Sequence, residues 1–105
     1  MKKSRIVDYD ETPSVKVVVK IRYRLTKGYQ FQIWLHSEPD FLDYTYQLFT
    51  DHPILRWDNA PHYRDIPTSP HHHHDESGRV RVSTLSGNTI EDLKFVLAEV
   101  KKWIA

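Results

Sequence analysis

Four stretches of the sequence alternate apolar with polar residues at a period of two. That period sends successive side chains to opposite faces of a strand and does not fit a helical stripe. In the first stretch Val15, Val17, Val19, Ile21, Tyr23 and Leu25 share one face and Lys16, Val18, Lys20, Arg22 and Arg24 the other. Thr26-Lys27-Gly28 follows, with a glycine able to take a positive φ, and Tyr29, Phe31, Ile33 and Leu35 then repeat the pattern, so the two runs read as a hairpin. A turn at residues 37–40 containing Pro39 leads to Leu42, Tyr44, Tyr46 and Leu48. Asp51-His52-Pro53 turns the chain again into a short strand at 54–58, where Leu55 and Trp57 share one side and Arg56 and Asp58 the other. Residues 79–85 alternate weakly and offer a fifth strand. The end of the chain changes to helical spacing, with Ile90, Leu93, Leu97, Val100 and Ile104 as its apolar stripe, Thr89 placed to cap it and Asp92 three residues further on. These elements predict an α+β fold: an antiparallel β-meander of four or five strands with one C-terminal helix packed on the sheet.

With 105 residues the chain has room for one core, and residues 1–105 read as a single domain. Residues 1–14 mix Lys2, Lys3 and Arg5 with Asp8, Asp10 and Glu11 and close at Pro13, which predicts a flexible arm. Fifteen Lys plus Arg stand against fourteen Asp plus Glu, so no global charge excess points to nucleic acid and any such role rests on local patterning. The sequence has no cysteine, which excludes a disulfide framework, a thiolate zinc site and a cysteine nucleophile. No apolar run approaches the roughly 20 residues of a membrane helix, and no signal-peptide core precedes the first strand, so a cytoplasmic protein is expected.

Residues 59–78 hold Pro61, Pro67, Pro70, Gly78 and five of the seven histidines. A polar loop of that length is longer than compact domains usually carry without a functional reason. The reactive groups concentrate at Arg56-Trp57-Asp58-Asn59-Ala60-Pro61-His62 and at Pro70-His71-His72-His73-His74-Asp75. Histidine is the side chain best matched to proton transfer at neutral pH, and two of them suffice to deprotonate an RNA 2′-hydroxyl and protonate the leaving 5′-oxygen without a metal. Arg56 is placed to hold the phosphate and Asp58 to orient an imidazole. Two other readings stay open. The histidines with Asp58, Asp75 and Glu76 could bind a divalent metal, although their spacing matches no zinc motif, and Arg56 with Asp58 could be a plain surface ion pair. Lys16, Lys20, Arg22 and Arg24 are a candidate track for a nucleic-acid backbone, with Trp34 or His36 on the next strand available for stacking.

The block from Arg56 to His62, followed after a spacer by Pro70 to His74, resembles the TumE-type toxin family of toxin-antitoxin systems, whose pattern reads approximately R-[YW]-D-N-A-P-H-H, a spacer, then P-H-H-K-H. Arg56, Asp58, Asn59, Ala60, Pro61 and His62 match the first half, and Pro70, His71, His72 and His74 the second. Tyr63 stands where the family often has a second histidine, and His73 where a lysine is usual. The resemblance implies a small toxin, a nuclease acting on RNA, encoded beside a helix-turn-helix antitoxin that neutralises it.

Residues and resemblance together predict a metal-independent endoribonuclease that needs no cofactor. In it Arg56 binds phosphate, Asp58 and Asn59 orient groups, and His62 with one of His71, His72 or His74 supplies acid and base. A non-catalytic RNA- or protein-binding module and a metal-dependent phosphodiesterase are the alternatives. Trp103, Ile104 and an unassigned sheet edge also make a homodimer an expectation.

Overall fold

A computed structural model of the chain describes residues 3–12 and 16–105. Among the described residues seven strands form one antiparallel sheet in chain order: β1 (Lys3–Thr12), β2 (Lys16–Arg24), β3 (Gln30–Glu38), β4 (Phe41–Phe49), β5 (Pro53–Asp58), β6 (His72–His74) and β7 (Val80–Val82). One helix, α1 (Thr89–Ile104), ends the chain. The meander with a C-terminal helix is the expected architecture, and the sheet is two strands wider than the five of the fuller sequence reading.

Both extra strands come from segments read as irregular. Within the expected arm, residues 3–12 pair with β2 from Lys3 opposite Arg24 to Thr12 opposite Lys16, with a register shift between Ile6 and Asp8. Met1, Lys2, Pro13 and Ser14 of that arm lie outside the described residues, as does Val15. Ile6, Val7 and Tyr9 are good strand formers by residue type. The second extra strand, β6, interrupts the expected 59–78 loop. Three histidines have no intrinsic strand pattern, and here they are fixed by what lies opposite: Arg56, Trp57 and Asp58 on β5.

Between β2 and β3 the chain reverses through a 3-10 turn, Thr26–Gly28, in which Lys27 (φ 60°) and Gly28 (φ 78°) are both left-handed, so the glycine is used as the sequence suggested. Cross-strand neighbours then stack into two faces. On one, Phe31 (β3), Tyr44, Tyr46 and Leu48 (β4) and Leu55 and Trp57 (β5) are buried against Val96 and Val100 of α1. That assignment corrects the predicted helical stripe: Val96 and Val100 enter the core with Leu93 and Ile104 at its margin, whereas Ile90 is 70% exposed. The cap also moves by one residue. Asn88 is the N-cap and its side chain accepts from Glu91 N–H at 3.1 Å, while Asp92 is buried and accepts from the backbone N–H groups of Ser86 (3.0 Å) and Gly87 (2.8 Å).

The helix leaves the opposite face of the sheet open. Register alignment places two polar rows across it. One runs Arg22, Gln32, Gln47, Arg56, His74, and the other Lys20, Trp34, Thr45, Asp58, His72.

Candidate functional site

Strand alternation at the end of β5 sends Arg56 and Asp58 to the open face and Trp57 to the core. On β6 the same alternation sends His72 and His74 to the open face, opposite Asp58 and Arg56, and turns His73 towards the helix side. His73 there stacks on the Trp57 ring at 4.7 Å and donates through Nδ1 to the Arg56 carbonyl at 3.1 Å. One residue earlier, His71 also leaves the open face. Its ring stacks on Tyr44 at 5.8 Å and its Nδ1 lies 2.7 Å from the Tyr44 hydroxyl. Burial first, and then the charges of Asp92, Tyr46 and Asp58, push the Tyr44 phenol well above its ordinary range, so Tyr44 donates and His71 accepts.

Asp58 is the centre of the open-face cluster. It is 3% exposed, and a carboxylate so buried requires a full set of partners. Oδ1 accepts from the Ala60 N–H at 3.0 Å and meets His72 Nε2 at 2.8 Å, and Oδ2 accepts from Arg56 Nε at 2.8 Å. His72 is as buried as Asp58, with its Nδ1 3.1 Å from the Pro70 carbonyl oxygen. Both ring nitrogens thus face oxygen atoms, Nδ1 the Pro70 carbonyl and Nε2 the Asp58 carboxylate. Both His72 nitrogens are thereby occupied. Arg56 and Asp58 are therefore more than a surface pair, because the carboxylate end is sealed while the arginine end is 44% exposed.

His74 differs from His72 on each count. Its Nε2 stands 3.7 Å from Asp58 Oδ2, beyond a hydrogen bond, and the side chain is 27% exposed. Desolvation by burial holds its pKa below the ordinary histidine value against the opposing pull of Asp58, with the neighbouring charges of His72, Arg56 and His73 adding to the depression. The residue is thus a neutral imidazole at pH 7. Tyr63 packs the edge of its ring against His72 at 4.7 Å and His74 at 5.8 Å.

Arg56, Asp58, His62, His72 and His74 all line one cleft of about 660 Å³, with Gln47 and Tyr63 among its other walls. Two predicted site residues lie apart from it. His71 belongs to the helix side. Asn59 acts as a splice at the end of β5: its Nδ2 donates to the Leu42 carbonyl at 2.6 Å and its Oδ1 accepts from Tyr44 N–H at 2.9 Å, continuing the β4 pairing with a side chain where the β5 backbone departs. Gln47 was missed by sequence reasoning. It sits directly opposite Arg56 in the β4–β5 register, a signal that becomes readable only once the pairing is known.

The four basic residues of β2 share the open face with the cleft. Arg22 is held by Gln32 Oε1, which accepts from its Nε at 3.2 Å and from a terminal nitrogen at 2.8 Å. With neighbouring strands about 4.8 Å apart, four spacings separate Arg22 from His74 by roughly 19 Å along the row.

Among the described residues no helix is long and apolar enough to cross a membrane. A family model described as Toxin TumE matches residues 1–104. No match was found among curated proteins or among solved structures.

Proposed function

The chain belongs to the TumE toxin family, which makes it a toxin with an antitoxin partner, and from that premise we propose that it is a metal-independent endoribonuclease neutralised by a helix-turn-helix antitoxin. The observation that carries this reading is the convergence of Arg56, His62 and His74 on one cleft beside a buried Asp58–His72 pair.

In this reading His74 is the general base. Its imidazole is neutral and lines the cleft, so it can take the proton of an RNA 2′-hydroxyl as that oxygen attacks the adjacent phosphorus. Arg56 meets the charge that develops on the phosphoryl oxygens. Asp58 engages only the Nε–H of Arg56 among the described residues, which leaves the terminal nitrogens of the guanidinium for the phosphate. His62, exposed on the cleft wall, donates the proton that the 5′-oxygen needs as the P–O5′ bond breaks. The products are a 2′,3′-cyclic phosphate and a free 5′-hydroxyl, and the proton taken by one histidine is balanced by the proton given by the other. His72 takes no part in proton transfer here and holds Asp58, which holds Arg56. Neither His71 nor Asn59 reaches the substrate.

The test is cleavage of a mixed RNA pool in excess EDTA, with product ends mapped, beside the His62→Ala and His74→Ala variants. Cyclic phosphate ends that disappear in both variants are the expected result. Binding of RNA without any cleavage would replace the enzyme by a binding module.

A further inference from the structure

We propose that Asp58, His72 and His74 form a three-ligand site for a divalent late transition metal, with zinc as the preferred ion, and that occupancy of this site switches the cleft off. One ligand atom from each residue lies within 4.8 Å of the other two. A tetrahedral zinc with bonds of about 2.0–2.1 Å to nitrogen and oxygen separates its ligands by roughly 3.4 Å. His72 Nε2 lies 2.8 Å from Asp58 Oδ1 and His74 Nε2 3.7 Å from Oδ2 of the same carboxylate, so rotations of the two rings and the carboxylate bring the three ligand atoms to that spacing.

The outer shell is that of a metal site as well. Ligating histidines donate their second ring N–H to a carbonyl or carboxylate, which fixes the ligating nitrogen and its direction. His72 does this through Nδ1 to the Pro70 carbonyl, leaving Nε2 to bind. Asp58 can ligate through Oδ1, where a metal takes the place of the direct contact with His72 Nε2, and keep Arg56 on Oδ2. Two imidazoles and one carboxylate leave a coordination position open towards the cleft, a donor set that suits zinc better than magnesium or calcium.

The histidine run does not act here as a flexible chelating tract. Strand alternation divides it, with His71 against Tyr44 and His73 against Trp57, so only His72 and His74 reach Asp58. The silencing follows from the proposed function and rests on it: a metal on His74 Nε2 takes the lone pair the 2′-hydroxyl proton requires.

Binding decides the site independently of activity. Metal-free protein is titrated with Co²⁺ while its visible d–d absorption is followed, and with Zn²⁺ by calorimetry, in wild type, His74→Ala and the remote exposed variant His52→Ala. One ion per chain is expected, with affinity reduced at least tenfold by His74→Ala and unchanged by His52→Ala. Ring-proton NMR of wild type provides a readout free of mutation, in which the His72 and His74 resonances move on zinc addition. Affinity unchanged in His74→Ala, or ring signals of His72 and His74 that stay put, overturns the site. In the RNA assay zinc is expected to slow cleavage, and acceleration overturns the inhibitory role. Absence of cleavage at every zinc concentration counts against the ribonuclease reading alone, since the titration stands by itself.

Discussion

At the scale of single residues, His72 and His74 share a strand face and an aspartate, yet they predict opposite phenotypes. His72→Ala leaves Asp58 Oδ1 with only the Ala60 N–H and opens a void where a fully buried ring stood, and losing a partner of a buried charged group costs about 1–3 kcal/mol or more, so urea unfolding should show a clear loss of stability. His74→Ala removes a partly exposed ring that makes no short hydrogen bond to Asp58. It should leave the urea midpoint nearly in place and lower cleavage by about 10²–10⁴, the usual contribution of a general base. The pH dependence separates them further. With the His74 pKa depressed in the folded protein, its basic form persists as pH falls, so the acidic limb of kcat/KM should lie below about 6.5. The same depression means that the unfolded chain binds more protons than the folded one at this site. Its contribution to stability is therefore present above pH 6.5 and is lost as pH drops through and below that value, a trend that urea midpoints at pH 7 and pH 5 should register.

At the scale of elements, Asn59 shows why the sequence was only partly legible. The sequence suggests an orienting group in the site, and the structure gives both ends of its amide to β4, to the Tyr44 N–H and the Leu42 carbonyl, where backbone pairing with β5 ends. Asn59→Ala leaves the Tyr44 N–H and the Leu42 carbonyl without their partner. The expected cost is about 1–3 kcal/mol of stability, with kcat/KM falling only as far as β5 frays, a split that unfolding and single-turnover assays on the same samples can resolve. The strands that could be read, β2 to β5, carry long period-2 patterns because one of their faces is buried. β6 could not be read in that way: its three residues are all histidine, and their faces differ only through Asp58, Tyr63 and Trp57, which come from elsewhere in the chain. The residues around β1 misled in the opposite sense, since their charges read as a loose arm while their backbone completes a sheet edge. The helix cap is Asn88 and not Thr89, with Asn88 accepting from the Glu91 N–H while Asp92 turns inward to hold the Ser86 and Gly87 amides.

At the scale of the whole molecule, α1 covers one face of the sheet and leaves the other with Arg22, Gln32, Gln47, Arg56 and His74 in a single cross-strand row. A polyanion laid along that row would meet a cation at β2, neutral amides on β3 and β4, and a second cation where cleavage is proposed. Charge and shape can be told apart in such a row, because only cations release counterions. Removing one phosphate-contacting cation flattens the slope of log K against log salt by about 0.7 for a single strand. Arg22→Ala should therefore weaken binding of single-stranded RNA and flatten the slope by about that amount, and Arg22→Ala with Arg24→Ala by about twice as much. Gln32→Ala is the control, since the glutamine carries no charge and touches Arg22 only to hold its guanidinium. Its loss should lower affinity by less and leave the slope as it was, measured as binding isotherms across a potassium chloride series. A slope that does not respond to Arg22 or Arg24 would mean that RNA reaches the cleft by another path, and the basic face of β2 would then serve the antitoxin or solvent instead.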